Sequence, residues 1–294
     1  MFADDTNLFY SSNSVTDLYT VVNRELKEIS EWFKSNKLSL NVKKTKYTLF
    51  CSPQVKRKLP KVMPNLHIEN NEILREEVTK FLGVLIDSNI SWKYHINTIN
   101  NKISKNIGVL YKARPFIDRN SMKQLYFSFI HSYLTYANIA WGSTYKTNLE
   151  PLHRRQKHAA RLIHFKDNKL PNSHAYEHAQ PLLKDMKALN IFQLNIYQNI
   201  LFMFKYKLNN LPKLFMTNYF KPNTNVYETR SAVDFSIPHR TTKRSQFCIS
   251  YRGPSLFNQL ASNNTSLDSI KGFCSIRKKL KEIMLEIQNA DEFF

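Results

Sequence analysis

The chain opens Met1-Phe2-Ala3-Asp4-Asp5-Thr6, two adjacent carboxylates behind an aromatic and a small residue, and continues Asn7-Leu8-Phe9-Tyr10-Ser11, which reads as a strand. Neighbouring side chains on a strand point to opposite faces, so a straight strand does not aim both carboxylates at one point. A tight turn relaxes that limit, and Asp is at home in turns. Such a turn offers negative oxygens to hard divalent ions, which take carboxylate and phosphate ligands. Taken alone, an Asp-Asp pair is more often a solvated turn.

The segments downstream of the pair give it context. Ser14 is placed as an N-cap with Asp17 in the first helical turn, and Val15, Leu18, Val22, Leu26, Ile29 and Phe33 recur at spacings of three and four, predicting one amphipathic helix that ends at Asn36. A lysine-rich run leads into a strand over residues 47–50. Residues 51–64, with three prolines and Lys56, Arg57, Lys58 and Lys61, read as an exposed connector. Residues 66–69 and 72–74 flank Asn70-Asn71, a two-residue hairpin turn. Residues 81–87 read as a strand in which Gly83 removes a side chain where another backbone, or a primer strand, approaches.

From Ser91 the pattern turns helical. Ile96, Ile99, Ile103, Ile107 and Leu110 form one stripe, and Lys93, Lys102, Lys105 and Lys112 occupy other positions. Pro115 ends that helix, and another begins near Met122. Residues 149–165 form a third basic helix, with Arg154, Arg155, Lys157 and Arg161 around Leu152, Gln156, Ala159 and Ile163; its His153 and His158 read as surface residues. Residues 171–181 mark a boundary, residues 182–211 are helical and aromatic-rich, and the last helix sets Arg277, Lys278, Lys279 and Lys281 beside Phe273, Ile276, Leu280 and Ile283.

Lys plus Arg number 43 against 23 Asp plus Glu, a net charge of +20 that implies a polyanionic partner. Three cysteines, far apart, form no disulfide framework or zinc motif and imply a reducing compartment. With 5 glycines there is no Gly-rich phosphate loop, which excludes a P-loop nucleotidase. Residues 125–141 and 191–204 are apolar but interrupted by polar residues, so buried helices explain them better than a bilayer.

The succession of acidic pair, helix, Lys-rich strand, hairpin, glycine-bearing strand and basic helices, with Phe2-Ala3-Asp4-Asp5, resembles the reverse transcriptase of non-LTR (LINE-type) retrotransposons, from the last part of the palm through thumb and C-terminal region. Leu38-Ser39-Leu40-Asn41 with Lys44-Thr45 looks like the fourth palm motif. Phe81-Leu82-Gly83-Val84 and the hairpin before it resemble the primer grip, and Trp92 and His95 come after it as the family has them. Leu152, Gln156, Ala159 and Arg161 resemble a post-thumb helix, and Tyr251-Arg252-Gly253 before Phe257-Asn258 resembles the tail motif.

The resemblance implies an α+β fold: a truncated palm remnant over residues 1–90 (a short antiparallel sheet with a helix), a helical thumb over 91–170 and a helical C-terminal region over 171–294. It implies RNA-directed DNA polymerase ancestry, with Asp4 and Asp5 as catalytic metal ligands for Mg²⁺, Lys44 at the nucleotide phosphates, and Phe81, Leu82 and Gly83 at the primer. Lys93, Lys102, Lys105, Arg154, Arg155, Lys157 and Arg161 are the expected nucleic-acid contacts. The expected partners are template–primer RNA and DNA, inside the cell and without a membrane. Two-metal phosphoryl chemistry needs ions about 3.5–4 Å apart, and the family holds them with a further Asp from an earlier palm strand. The chain as given is therefore expected to be catalytically incomplete and to need the upstream part of the polymerase. The other readings are a non-catalytic nucleic-acid-binding remnant and a helical scaffold for another acidic partner.

Overall fold

A computed structural model describes residues 6–60, 63–164, 179–216, 219–223, 235–263 and 272–287. The fold is α+β; among the described residues the small sheets lie in the first part and helices follow, apart from an isolated bridge between Pro222 and Phe235. It divides into two compact units, one reaching Tyr94 and one starting at His95.

In the first unit, α1 (Val15–Ser35) starts where Ser14 Oγ accepts from the Asp17 N–H at 3.3 Å and stops at Asn36. Its apolar stripe lies on the antiparallel pair β2 (Leu66–Ile68) and β3 (Asn71–Arg75), with Tyr19, Leu26, Leu66, Ile68 and Ile73 as the buried core. The two-residue strand β1 (Lys46–Tyr47) pairs with β3 in parallel. It is shorter than the expected 47–50 because Glu76 N–H bonds to Tyr47 O and β3 ends there, leaving residues 48–50 no strand to join. Residues 7–11, expected as a strand, form no ladder; they flank residues 45–50 across a cavity of about 390 Å³. The connector holds a short helix, α2 (Pro53–Lys58), with Ser52 Oγ accepting from Val55 N–H and Pro53 at its first position.

The first hairpin turns one residue away from expectation, and a second stands where one strand was expected. The first turns at Glu69-Asn70, not Asn70-Asn71. Its register pairs Leu66 with Ile73 and puts Leu66, Ile68 and Ile73 on the core face; a one-residue slip would send that set to solvent. Glu69 accepts a left-handed φ of 56°, and its carboxylate is held by Lys34 Nζ at 2.9 Å and Ser30 Oγ at 3.2 Å from α1. The second hairpin, β4 (Val78–Phe81) and β5 (Val84–Asp87), divides what read as one strand over 81–87. Phe81 pairs with Val84, and Leu82 (φ 45°) and Gly83 (φ 82°) form the loop. Positive φ at both central residues is the turn whose twist suits a two-residue hairpin. Gly83 therefore supplies a turn.

In the second unit, α3 (Lys93–Ala113) buries the expected stripe of Ile96, Ile99, Ile103, Ile107 and Leu110. Asp118 caps α4 (Arg119–Tyr126), which passes through a π-helical turn at Phe127–His131 into α5 (Ser132–Thr135). Then come α6 (Asn138–Trp141), α7 (Lys146–His164), α8 (Gln180–Asp185), α9 (Ile191–Lys207), α10 (Lys213–Met216), α11 (Lys243–Gln246), α12 (Ile249–Asn263) and α13 (Phe273–Glu286). The apolar run 182–211 is broken at Asn190, which restarts the chain as α9 through reciprocal bonds with Gln193.

α9 is the hub, packed by α6, α7, α12 and α13 and buried on almost every side, Asn195 and Asn199 included. No described helix is long and apolar enough to cross a membrane. A Cβ on Gly253 would stand 2.8 Å from Met203 Sδ, so glycine lets α12 approach α9. Four residues on, Phe257 packs edge-on against Phe204 and Phe235, while the Asn258 amide bonds both ways to the Phe235 backbone. The tail motif is thus a packing device.

Burial holds the His95 and His131 imidazoles down at about 4, with the charges of Lys102 and Lys281 adding to it. Because both folded values lie below the ordinary one of about 6.5, the unfolded chain binds more protons between those limits. Stability from this source is complete above pH 6.5 or so and is lost as the pH falls toward 4. Melting temperature is expected to fall over that window, and His95→Gln with His131→Gln to flatten the fall; an unchanged slope contradicts the assignment.

Candidate nucleic-acid interface

Asp4 and Asp5 lie outside the described residues. Among the described residues, no group of three His, Cys, Asp or Glu stands together as a metal centre. Lys44 ends the 3₁₀ turn Val42–Lys44, with its side chain exposed and its N–H bonded to Asn41 Oδ1 at 3.3 Å. Leu40 and Val42 of the same motif pack against the core, so Asn41 and its neighbours set the loop and Lys44 projects from it.

At the second hairpin, Phe81 is half-buried and edge-on to Phe9 at 6.0 Å, and Leu82 and Gly83 are exposed at the tip. The strand behind them ends at Asp87, a buried carboxylate that accepts from Ser91 N–H at 2.9 Å and Trp92 N–H at 3.0 Å. Those bonds close the loop in which Ile90 and Trp92 take positive φ. Asp87 is thereby engaged in holding the backbone. Asp87→Ala is expected to cost about 2–3 kcal/mol, since charge-assisted bonds to buried amides are lost together; a urea midpoint within error of the wild type rules this out.

On α3, Lys93, Lys102 and Lys105 are exposed outside the isoleucine seam, Lys93 and Lys102 on its two flanks and Lys105 on the far side. Lys102 Nζ stands 5.4 Å from the Tyr133 ring centre, and Asn106 Nδ2 donates to Phe129 O at 2.6 Å, fixing the helix's rotation. Asp118, the acidic residue of this stretch, accepts from Asn120 and Ser121 N–H as the α4 cap; hydrogen bonds, that of the Ser121 side chain foremost, hold its carboxyl below the usual range.

On α7, Arg154 and Arg155 are exposed and Lys157 and Arg161 half-buried. Arg154 Nε is 3.7 Å from Glu150, an exposed pair worth under about 1 kcal/mol. Desolvation, then the charges of Arg155 and Arg161, hold the His158 pKa below its ordinary value. His153 corrects the sequence reading: it is buried, edge-on to Phe192 at 5.1 Å. It lies four residues after Leu149 and three before Gln156, both fully buried, so it shares their face. Gln156 is the polar centre of that face. Its Nε2 donates to Tyr126 OH and Leu189 O, both at 2.8 Å, and its Oε1 accepts from Ile191 N–H at 3.0 Å. Sequence reasoning named no contact on α9 or α13, although Arg277, Lys278 and Lys281 share one face of α13 with Lys205 of α9 close by; the spacing of one and four residues was the available signal.

The arrangement is that of a basic α+β protein whose cations stand outside dry helical seams. No family model matches the chain, and no solved structure does. Over 165 residues it is 23% identical to a Drosophila melanogaster protein described as "Probable RNA-directed DNA polymerase from transposon X-element", a match covering 55% of this chain and 18% of that relative.

Proposed function

We propose that this chain is a reverse-transcriptase-related protein of a non-LTR retrotransposon that binds RNA and DNA through the cations of α3 and α7. The observation that carries the reading is the division of each helix: the seam is buried, and Lys93, Lys102, Lys105, Arg154 and Arg155 lie outside it, with one weak ion pair, Arg154 with Glu150, among the described residues. Phosphate contacts of this kind supply affinity without sequence preference. The similarity to a transposon polymerase favours nucleic acid over other polyanions. In this reading residues 1–90 derive from the palm, 91–170 from the thumb and 171–294 from the C-terminal region. Asp4 and Asp5 would hold Mg²⁺, Lys44 would meet nucleotide phosphates, and the Leu82-Gly83 tip would meet the primer.

Two-ion chemistry asks for more carboxylate than one turn provides. In the first unit Glu69 pairs with Lys34, Glu76 with Lys46, Glu77 with Lys56 and Arg75, and Asp87 with the backbone, and among the described residues no three carboxylate, His or Cys side chains stand together. RNA-templated primer extension by the purified chain with Mg²⁺ is therefore expected to equal that of the Asp4→Ala/Asp5→Ala variant, while RNA, DNA and hybrid all bind with affinity that drops as salt rises. Extension abolished by Asp4→Ala would place catalysis in this chain. Absence of RNA and DNA binding alike would leave the scaffold for another acidic partner.

A further inference from the structure

α9 and α13 pack together and leave beside them a cleft of about 890 Å³. Its apolar wall includes Tyr197, Leu201 and Phe202, and its cations are Lys205 from α9 with Arg277, Lys278 and Lys281 from α13; among the described residues no Asp or Glu lines it. The carboxylates of α13 are occupied elsewhere, Glu282 with Lys279 at 3.7 Å and Glu286 with Lys184 at 2.7 Å. None of the four cleft cations has a carboxylate partner among the described residues.

Lys205 Nζ stands 5.5 Å from the Phe273 ring centre, and two further features mark the cleft. The Lys281 pKa is lowered by desolvation and then by Arg277, Lys187 and Lys123, a cluster of like charges. The His131 side chain, at the end of the π-helical turn, lines the same cleft, and its Nδ1 is buried without a hydrogen-bond partner. A π-helical turn interrupting an α-helix is a frequent mark of functional positions.

We infer that this cleft binds a single strand of nucleic acid, with phosphates on Lys205, Arg277, Lys278 and Lys281 and an unpaired base against the wall containing Leu201 and Phe202. The volume falls within the range of ligand sites, about 300–1,000 Å³. A duplex keeps its bases stacked inside and has no use for the apolar wall, whereas a single strand offers phosphate and exposed base together. The inference rests on the nucleic-acid reading above and adds a site separate from α3 and α7.

The test is fluorescence anisotropy with a short labelled oligothymidylate, an abasic strand of equal length and a duplex of equal length. Lys205→Gln with Arg277→Gln should weaken oligothymidylate binding about tenfold and reduce its salt slope by about 1.4, two contacts at about 0.7 each. Duplex binding should change less than about twofold, and Lys279→Gln, which removes a charge outside the cleft, should leave both unchanged. Wild-type protein should bind the abasic strand about tenfold more weakly than oligothymidylate. The inference is overturned if the double variant, melting as the wild type does, keeps its oligothymidylate affinity, if duplex affinity falls as far, or if the abasic strand binds equally well. Loss of duplex binding in variants of α3 and α7, with the cleft variant unaffected, would uphold the broader reading and remove only this site.

Discussion

Replacing Lys102, Lys105, Arg154 and Arg155 together with alanine is expected to lower duplex affinity by about four-thousandfold at 0.1 M salt. Each phosphate neutralised on B-DNA contributes about 0.9 to the slope of log K against log salt, so four lost contacts flatten it by about 3.6. Plots converging near 1 M then differ by about 3.6 decades at 0.1 M. All four side chains are exposed, and the ion pair given up is Arg154 with Glu150, so stability should stay within about 0.5 kcal/mol of the wild type. Duplexes of unrelated sequence should lose affinity equally, because phosphate contacts read no bases. A slope unchanged in the quadruple variant would remove α3 and α7 from the interface. A loss confined to one sequence would mean that these residues reach base edges instead.

Much of the helical part was legible because its signals are local. The α3 seam is a 3.6-period stripe, and Ser14, Asn36 and Pro115 punctuate helices in the way their backbone chemistry dictates. The strands were less legible because their partners are remote. Residues 7–11 have the composition of a strand and no ladder, and residues 48–50 lose theirs where β3 ends at Arg75. Asn70-Asn71 is the better turn by propensity, yet the packing of Leu66, Ile68 and Ile73 on α1 decides the register. Leu82-Gly83 carried a turn signal that the apolar run around it obscured. Of the candidate site, the exposed cations of α3 and α7 followed once the seams were assigned. The cleft between α9 and α13 did not, since Lys205 and Arg277 are far apart in sequence and meet only through packing.

The largest stability effect is expected from Gln156→Ala. The side chain is fully buried, and its amide serves Tyr126 OH, Leu189 O and Ile191 N–H at once, tying α7 to α4 and to the start of α9. Truncation leaves the Leu189 carbonyl and the Ile191 amide without that partner in a dry interior, each costing about 1–3 kcal/mol, and opens a cavity besides. A total of about 3–5 kcal/mol should lower the melting temperature by about 10 °C. Gln156→Met restores most of the volume without the bonds, so the gap between the Met and Ala variants measures the cavity alone. Gln156→Glu keeps an acceptor for Ile191 but turns a carboxylate oxygen toward the Leu189 carbonyl, where the native amide donates. At neutral pH it should be at least as damaging as alanine, and it should recover stability as the pH is lowered and the acid gains a proton to donate. The ionised state pays for burial without a cation, and protonation removes that cost. A Glu variant whose melting temperature does not rise with acidification relative to the Ala variant would mean that water has entered around residue 156, and that the bonds among α4, α7 and α9 are not the dry network their distances describe.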